Sequence, residues 1–110
     1  MFIVIAHDYD LSQITKVFHY LPEAELFANQ VTAMGKLRRE IRDTERETRH
    51  EYWDSNNKIS NLSRRMDNYH KTSKYKKLSS MINKIEKMLE SIGAPYYASS
   101  CEILEKQFEE

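Results

Sequence analysis

Three side chains that could bind a metal or transfer protons follow the first apolar run of the chain. His7, Asp8 and Asp10 come directly after residues 2–6, and His19 would lie across a hairpin from them. Imidazoles and carboxylates serve as metal ligands and as general bases. Their spacing matches no strong metal pattern, and Asp and Tyr are ordinary loop residues after a strand. We therefore expect no metal and no cofactor, and a small hydrolase using His7, Asp8 and Asp10 is the third of three functional hypotheses.

The chain has a single cysteine, Cys101, next to Ser99 and Ser100. A catalytic thiol needs a positioned base, and the four histidines are scattered with no local motif around them. A lone cysteine forms no intramolecular disulfide, which is typical of a reducing compartment. We expect a partly buried thiol in a protein that is not an enzyme.

Four arginines recur at helical spacing in the middle of the chain, and two aromatic residues follow them. These residues are Arg38, Arg42, Arg46, Arg49, Tyr52 and Trp53. Intervals of four, four and three residues place the guanidiniums along one helix face. Arg, Tyr and Trp are the residues that most often anchor interfaces, so the pattern predicts a protein-binding surface. The alternative is a solvated helix on which acids pair with the arginines, for example Glu45 with Arg49.

A second basic segment, residues 64–77, interleaves cations with aromatic side chains. Its candidate ligand-binding residues are Arg64, Arg65, Tyr69, Lys71, Lys74, Tyr75, Lys76 and Lys77. Cations bind phosphate oxygens and aromatic rings stack on bases, so the composition suits a nucleic acid or a nucleotide. Tyr69 and Tyr75 are equally explained as apolar positions between packed helices.

The N-terminal third predicts a β-hairpin followed by a helix. Residues 1–21 contain two strand candidates separated by a polar loop. Pro22 suits the first turn of a helix, and we predict a long helix over residues 22–52. An apolar stripe able to cover the hairpin recurs along this helix. It comprises Ala24, Phe27, Ala28, Val31 and Met34.

The rest of the chain predicts a reversal and a return helix. Asp54, Ser55 and two asparagines indicate a turn over 53–57, with Asp54 and Ser55 as N-cap residues. The return helix is expected over 58–92, antiparallel to the first as a helical hairpin or coiled-coil arm. Its seam of apolar residues is Ile59, Leu62, Met66 and Tyr69, followed in a shifted frame by Tyr75, Leu78, Ile82, Ile85, Leu89 and Ile92. The shift predicts a break near 70–74 or a stutter in one helix.

The C-terminal segment predicts a helix stop and a short last helix. Gly93 and Pro95 should end the return helix. Ser99 with Glu102 fits a capping box, which predicts a helix over 99–108 with Phe108 available for docking.

Size and composition bound these predictions. The chain has 110 residues, which fits a single α+β domain, mostly helical. It carries 17 basic and 17 acidic residues, so total charge gives no bias toward nucleic acid or membrane. No apolar stretch approaches the roughly 20 residues that span a bilayer. We expect a cytoplasmic protein with no membrane partner.

The order of segments along the chain is distinctive. The chain opens with MFIVIAHDYD, continues through a second strand into LPEAELFANQ, and then forms helices rich in Lys, Asn, Tyr and Met. In size, layout and composition the chain resembles the small accessory proteins of tailed, T-even-like phages. The resemblance covers the first third and carries over no functional residue. It implies a host-takeover or anti-defence role in the host cytoplasm, by stoichiometric binding to a host enzyme or by capture of a signalling nucleotide.

The leading hypothesis is therefore a non-catalytic protein-binding module, acting as an inhibitor or adaptor on a host protein. A homo-oligomer formed through the hairpin edge or the helical arm is a further expectation. The alternative hypothesis is a nucleic-acid or nucleotide binder that uses segment 64–77.

Overall fold

The computed structural model describes residues 1–8 and 11–107. Its elements are β1 (Phe2–Asp8), β2 (Leu11–Phe18), α1 (Leu21–Ser55), α2 (Leu62–His70), α3 (Ser73–Ser91) and β3 (Ser100–Glu105). This architecture confirms the predicted α+β class with a predominance of helix and an N-terminal hairpin.

The chain groups into two compact units. Unit 1 comprises Met1–Arg39 and Ile85–Glu110, and unit 2 comprises Glu40–Lys84. Both α1 and α3 contribute residues to each unit, because the unit boundaries fall within these helices. The single domain expected over 1–110 stays a prediction.

Unit 1 is built on a three-stranded antiparallel sheet of order β2-β1-β3. Strand β1 lies in the centre, and its Val4 and Ala6 side chains are fully buried. A β-bulge shifts the β1–β2 register between Val4 and Ile5. Such a bulge places two residues of one strand opposite one of its neighbour, and the local twist increases.

The first half of α1 covers the face of the sheet that Val4 and Ala6 share. Its stripe of small and apolar residues is buried at Ala24, Phe27, Ala28 and Val31, and the Phe27 ring lies 5.5 Å from that of Phe18 on β2. The sequence predicted this stripe because the spacing of three and four keeps these residues on one helix face.

The predicted helix over 99–108 is wrong. Residues Ser100–Glu105 form β3, which pairs with β1, and Phe108 lies outside the described residues. Ser99 does not cap a helix, since its backbone N–H donates to the carbonyl of His7 and extends the strand pairing. The second edge of β1 would otherwise leave a row of backbone donors and acceptors without partners, which outweighs the local capping pattern.

The predicted turn at 53–57 is placed too early. Helix α1 continues through Asp54 to Ser55, and α2 begins at Leu62. The N-cap of α2 is Asn61, whose side chain accepts a hydrogen bond from the backbone N–H of Arg64. The connection over 56–61 is therefore longer than the sequence indicated, and the return segment starts four residues later.

The return segment divides into two helices, with α2 ending at His70 and α3 beginning at Ser73. The Thr72 hydroxyl lies between them, donating to the Tyr69 carbonyl at 2.7 Å and accepting from the Tyr75 N–H at 3.3 Å. The predicted seam on α2 is wrong at Leu62, which is 63% exposed, whereas Arg65 and Tyr69 are buried. An arginine occupies a position that hydrophobicity alone would not assign to the interior.

Gly35 marks the closest approach of α1 to the segment that precedes β3. A Cβ atom added there would clash with the backbone carbonyl of Ala98 and would lie 2.8 Å from the Cα of Ser99. Because both neighbours are backbone atoms, no side chain can move aside.

We expect Gly35→Ala to lower the free energy of unfolding by about 1–3 kcal/mol, the usual cost of overpacking a filled site. Helix propensity alone predicts the opposite, a gain of roughly 1 kcal/mol for Gly to Ala. Chemical denaturation of the two proteins decides the sign, with exposed Ala33→Gly as the control for propensity. A Gly35→Ala protein more stable than the original would contradict the close contact.

Candidate functional site: the Trp53 surface of unit 2

A buried arginine organises the middle of unit 2. The side chain of Arg65 is 7% exposed, and its Nε donates to the Ile59 carbonyl at 3.0 Å while Nη2 donates to the Asn57 carbonyl at 3.2 Å. Nη2 also donates to Ile59. These bonds satisfy carbonyl groups of the 56–61 connection, whose residues form no regular ladder.

The same guanidinium lies 5.1 Å from the centre of the Trp53 ring, a cation–π distance. Trp53 is half-buried near the end of α1, and Arg65 is on α2. The contact therefore couples the indole to the second helix and restricts its rotation. The rest of the ring is accessible to solvent.

A shallow depression of about 290 Å³ adjoins Trp53. Its lining residues are Arg49, His50, Trp53 and Met66. The indole and thioether supply polarisable apolar surface, and Arg49 supplies positive charge. We call this group the Trp53 surface. Its chemistry suits an apolar side chain that is accompanied by a negative charge.

An aromatic cluster fills the interior of unit 2 beside this surface. The Tyr69 ring lies 5.4 Å from Tyr52 and 5.2 Å from Tyr75, and the His70 ring lies 4.5 Å from Tyr75 at an interplanar angle of 31°. Tyr69 is 1% exposed, and its hydroxyl donates to the Glu45 carboxylate at 3.0 Å. Burial, followed by the Glu45 hydrogen bond and charge, raises the pKa of Tyr69 from 10.0 to about 12.

The four arginines that the sequence placed in one stripe all lie on α1 but have different surroundings. Arg38 belongs to unit 1, where it forms a salt bridge with Glu86 at 2.8 Å and lies over the Tyr96 ring. Its side chain is 14% exposed, so most of the guanidinium is already engaged. Arg42, Arg46 and Arg49 belong to unit 2, with Arg42 and Arg46 exposed.

The pairing expected between Glu45 and Arg49 does not form within the described residues. Glu45 instead accepts the hydrogen bond from buried Tyr69. A carboxylate bound to a buried hydroxyl gains more than one in a solvated surface pair, which contributes little. Arg49 consequently keeps its charge available to the depression that it lines.

The residues of the basic segment 64–77 are also divided. Arg65 and Tyr69 are buried, so neither presents a free cation or ring face to a ligand. The exposed cations are Arg64, Lys71, Lys74, Lys76 and Lys77, and Tyr75 is half-buried. Arg64 and Lys58 line one depression near the start of α2, whereas Lys74 lines another with Tyr52 and Tyr69.

The polar residues at the end of β1 are held in two separate contacts of unit 1. His7 Nδ1 lies 2.8 Å from the Ser12 hydroxyl and Nε2 lies 3.1 Å from Glu102 Oε2. Asp8 Oδ1 lies 3.0 Å from the Ser99 hydroxyl, and Asp10 lies outside the described residues. The hydrolase grouping of His7, Asp8 and Asp10 is therefore not assembled by the residues that can be placed.

Ser12, His7 and Glu102 follow the order of hydrogen bonds found in serine hydrolases. That chemistry also requires donors for the oxyanion and a site that excludes water. Ser12 is exposed and the Glu102 side chain is 54% exposed, so water surrounds these groups. We treat the three residues as a polar patch on the sheet.

Cys101 contacts α1 rather than a catalytic base. Burial raises the pKa of the Cys101 thiol, partly offset by a hydrogen bond with Thr32. A raised pKa reduces the thiolate fraction and hence the nucleophilicity of the sulfur.

Among residues 1–8 and 11–107 no group of three His, Cys, Asp or Glu side chains could hold a metal ion. No helix in this part of the chain combines the length and apolarity needed to cross a membrane. Comparison with protein-family models, with curated protein sequences and with solved structures finds no match.

Two lining residues of the Trp53 surface, His50 and Met66, and the contact of Arg65 with Trp53 are not predicted by the sequence. The sequence predicts anion binding for Arg65 and a helix seam for Met66, and it assigns no function to His50. The spacing of Trp53 and Arg65 gave no signal, because a loop of irregular structure lies between them. Only the position of Arg65 four residues before Tyr69, on one helix face, hinted at a shared burial.

The raised pKa of Tyr69 predicts a pH dependence of stability. The folded pKa lies above the unfolded value, so folding favours the neutral phenol. Its stabilising contribution is fully present below pH 10.0 and is lost as the pH rises toward about 12. We expect the wild type to lose more stability than Tyr69→Phe over this interval, measured by urea denaturation at each pH.

Comparing the two proteins at the same pH cancels the titration of lysines and of the other tyrosines. Equal losses in both proteins would show that Tyr69 titrates normally and is not held by Glu45.

Proposed function

We propose that the protein is a non-catalytic binding protein and that the Trp53 surface is its contact site. The proposed partner is a protein that presents an apolar side chain flanked by carboxylates. The observation that carries the proposal is the half-buried Trp53 held by buried Arg65 beside a cationic, apolar depression.

Restraint of Trp53 favours binding energetically. An interface side chain that loses rotational freedom on binding costs about 0.5–1.5 kcal/mol. Arg65 already restricts the indole in the free protein, so less of this cost remains. Trp, Arg and Met at the edge of a depression have the composition of an interface hot spot.

Charge supports an acidic partner. Arg46 and Arg49 form no salt bridge among the described residues, and both lie on the same helix as Trp53. Carboxylates of a partner would bind these guanidiniums with geometry that lysine does not offer. The apolar centre supplies affinity, and the arginines fix orientation and accelerate association.

The proposal extends to a stoichiometric inhibitor or adaptor that acts on a host protein in the cytoplasm. This extension rests on the likeness of size, layout and composition to phage accessory proteins. Self-association through the hairpin edge or the helical arm stays a prediction.

Trp53→Ala should weaken binding of the partner by at least about tenfold, because truncation of a hot-spot residue commonly reduces the binding free energy by about 2 kcal/mol or more. Arg49→Glu should weaken it as well, and more strongly at low salt. The measurement is a tagged pull-down from host lysate with nuclease, followed by calorimetry with the purified partner. Tyr20→Ala, an exposed aromatic of unit 1, is the matched control.

Full-strength binding by both Trp53→Ala and Arg49→Glu, with each protein folded, would exclude this surface. Loss of binding by Tyr20→Ala as well would point to unit 1.

A nucleic-acid or nucleotide ligand is the second candidate function. It is favoured by the adjacent His70 and Tyr75 rings, whose centres are 4.5 Å apart, with exposed Lys71 and Lys74 close in sequence. Aromatic faces beside cations are the composition of single-strand binding sites.

Lys74→Glu with Lys77→Glu should abolish anion binding in this second case, because two cations available to phosphate oxygens become carboxylates that repel them. Fluorescence anisotropy with a labelled oligonucleotide and a labelled nucleotide measures it. The control is Lys84→Glu with Lys87→Glu, two exposed lysines of α3 outside the segment. Equal binding by both double variants would rule out segment 64–77.

A further inference from the structure

The outer face of the sheet in unit 1, opposite the face that α1 covers, carries large apolar side chains in contact with solvent. The cross-strand pairs Ile3 with Val17, Ile3 with Leu104, and Ile5 with Ile14 place these residues on one face. Ile14 is 61% exposed, Val17 48% and Leu104 43%. Met1, 44% exposed, continues the alternation of Ile3 and Ile5.

We propose that a second copy of this chain covers the outer face, so that two sheets pack face to face. Sheets that pack in this way lie about 10 Å apart with their strands within roughly 30° of each other. The interface would be distinct from the Trp53 surface, because all of its residues belong to unit 1.

Charge along β3 on this face is self-complementary. Glu102 lies opposite Ile5 and beside His7, and Lys106 follows β3 at the end of the sheet where Met1 lies. Alternation along the strand places both on the outer face, about 13 Å apart at a rise of roughly 3.4 Å per residue. The backbone bonds between Met1 and Lys106 continue the β1–β3 pairing to this end.

A two-fold axis perpendicular to the strands makes the two sheets antiparallel. When this axis passes through the row of Ile3, Val17 and Leu104, Glu102 of each copy lies over Lys106 of the other, and these three apolar residues of the two copies meet. An arrangement with parallel strands would bring like ends together and would lose this attraction. The same face therefore specifies both its partner and its orientation.

Pairing through the exposed edge of β2 is the competing mode of self-association. It would extend the sheet and satisfy backbone groups of that edge. It would leave Ile14, Val17 and Leu104 in water, however, because their side chains point out of the sheet plane. Packing face to face removes this apolar area from water, which is the larger contribution.

The face is small, about 14 Å by 24 Å for three strands of this length. Two such faces would bury roughly 700 Å² in total, below the roughly 1,200 Å² of stable interfaces, so we expect a weak dimer with a dissociation constant on the order of 10 micromolar. The test must therefore span concentrations above and below that value.

Sedimentation equilibrium of the full chain over a range of concentrations tests the proposal. We expect the wild type to dimerise and Ile14→Lys to weaken dimerisation by at least about tenfold, because a charge replaces an apolar side chain that the interface removes from water. Leu26→Lys is the matched control, since Leu26 is 62% exposed on α1, and this variant should dimerise like the wild type.

A charge reversal tests the orientation. Glu102→Lys should weaken the dimer, and Glu102→Lys combined with Lys106→Glu should restore it. Circular dichroism confirms that each variant is folded. A wild type that stays monomeric to about 100 micromolar, ten times the expected constant, overturns the proposal. If Ile14→Lys does not weaken the dimer, the outer face is not the interface. If the double reversal does not restore the dimer, the proposed orientation is wrong.

Discussion

The buried guanidinium of Arg65 is the interaction on which unit 2 depends. It donates to two carbonyl groups of the 56–61 connection and lies against the Trp53 ring. A buried cation without hydrogen-bond partners would lower the free energy of unfolding by an amount on the order of several kcal/mol. The Arg65 guanidinium therefore needs the partners that it has. Its satisfaction fixes the irregular connection, and the connection in turn fixes how α2 follows α1. For the proposed function, the consequence is that Arg65 restrains the Trp53 ring beside Arg49.

Tyr69 complements this role from the same helix. Arg65 and Tyr69 are four residues apart on α2, and both contact α1: the Tyr69 hydroxyl donates to Glu45, and the Arg65 guanidinium lies against the Trp53 ring. The Tyr69 hydroxyl donates a hydrogen bond to the Glu45 carboxylate. Glu45 therefore does not pair with Arg49, and Arg49 lines the depression. Two buried polar side chains thus determine which surface charges of α1 remain available. The function proposed for the Trp53 surface follows from burial rather than from the number of arginines.

The elements that bury one apolar face could be predicted from the spacing of apolar residues in the sequence. The hairpin, the stripe of α1 from Ala24 to Val31 and the α3 positions Ile85 and Leu89 follow from spacing alone, because burial of one face determines them. The strand over Ser100–Glu105 could not be predicted in this way. Its six residues satisfy a local helix pattern, and only the open edge of β1, more than 90 residues earlier in sequence, selects the extended form.

The candidate site was less predictable for a related reason. Trp53 and Arg49 were identified by residue type, but the role of Arg65 depends on a loop conformation that no periodic pattern encodes. The segment 64–77 reads as uniformly basic in sequence, whereas in the structure Arg65 is internal and the lysines are external. Charge counted along a chain does not distinguish a cation that binds a ligand from one that binds its own backbone.

Trp53 is the single tryptophan of the chain, which permits a direct measurement at the centre of the proposed site. Incorporation of fluorotryptophan gives one fluorine resonance, recorded by NMR while the captured partner is added in steps. We expect this resonance to shift or broaden and to reach its end point at one partner per chain. A resonance that stays unchanged while sedimentation shows the complex to have formed would contradict the assignment of the Trp53 surface.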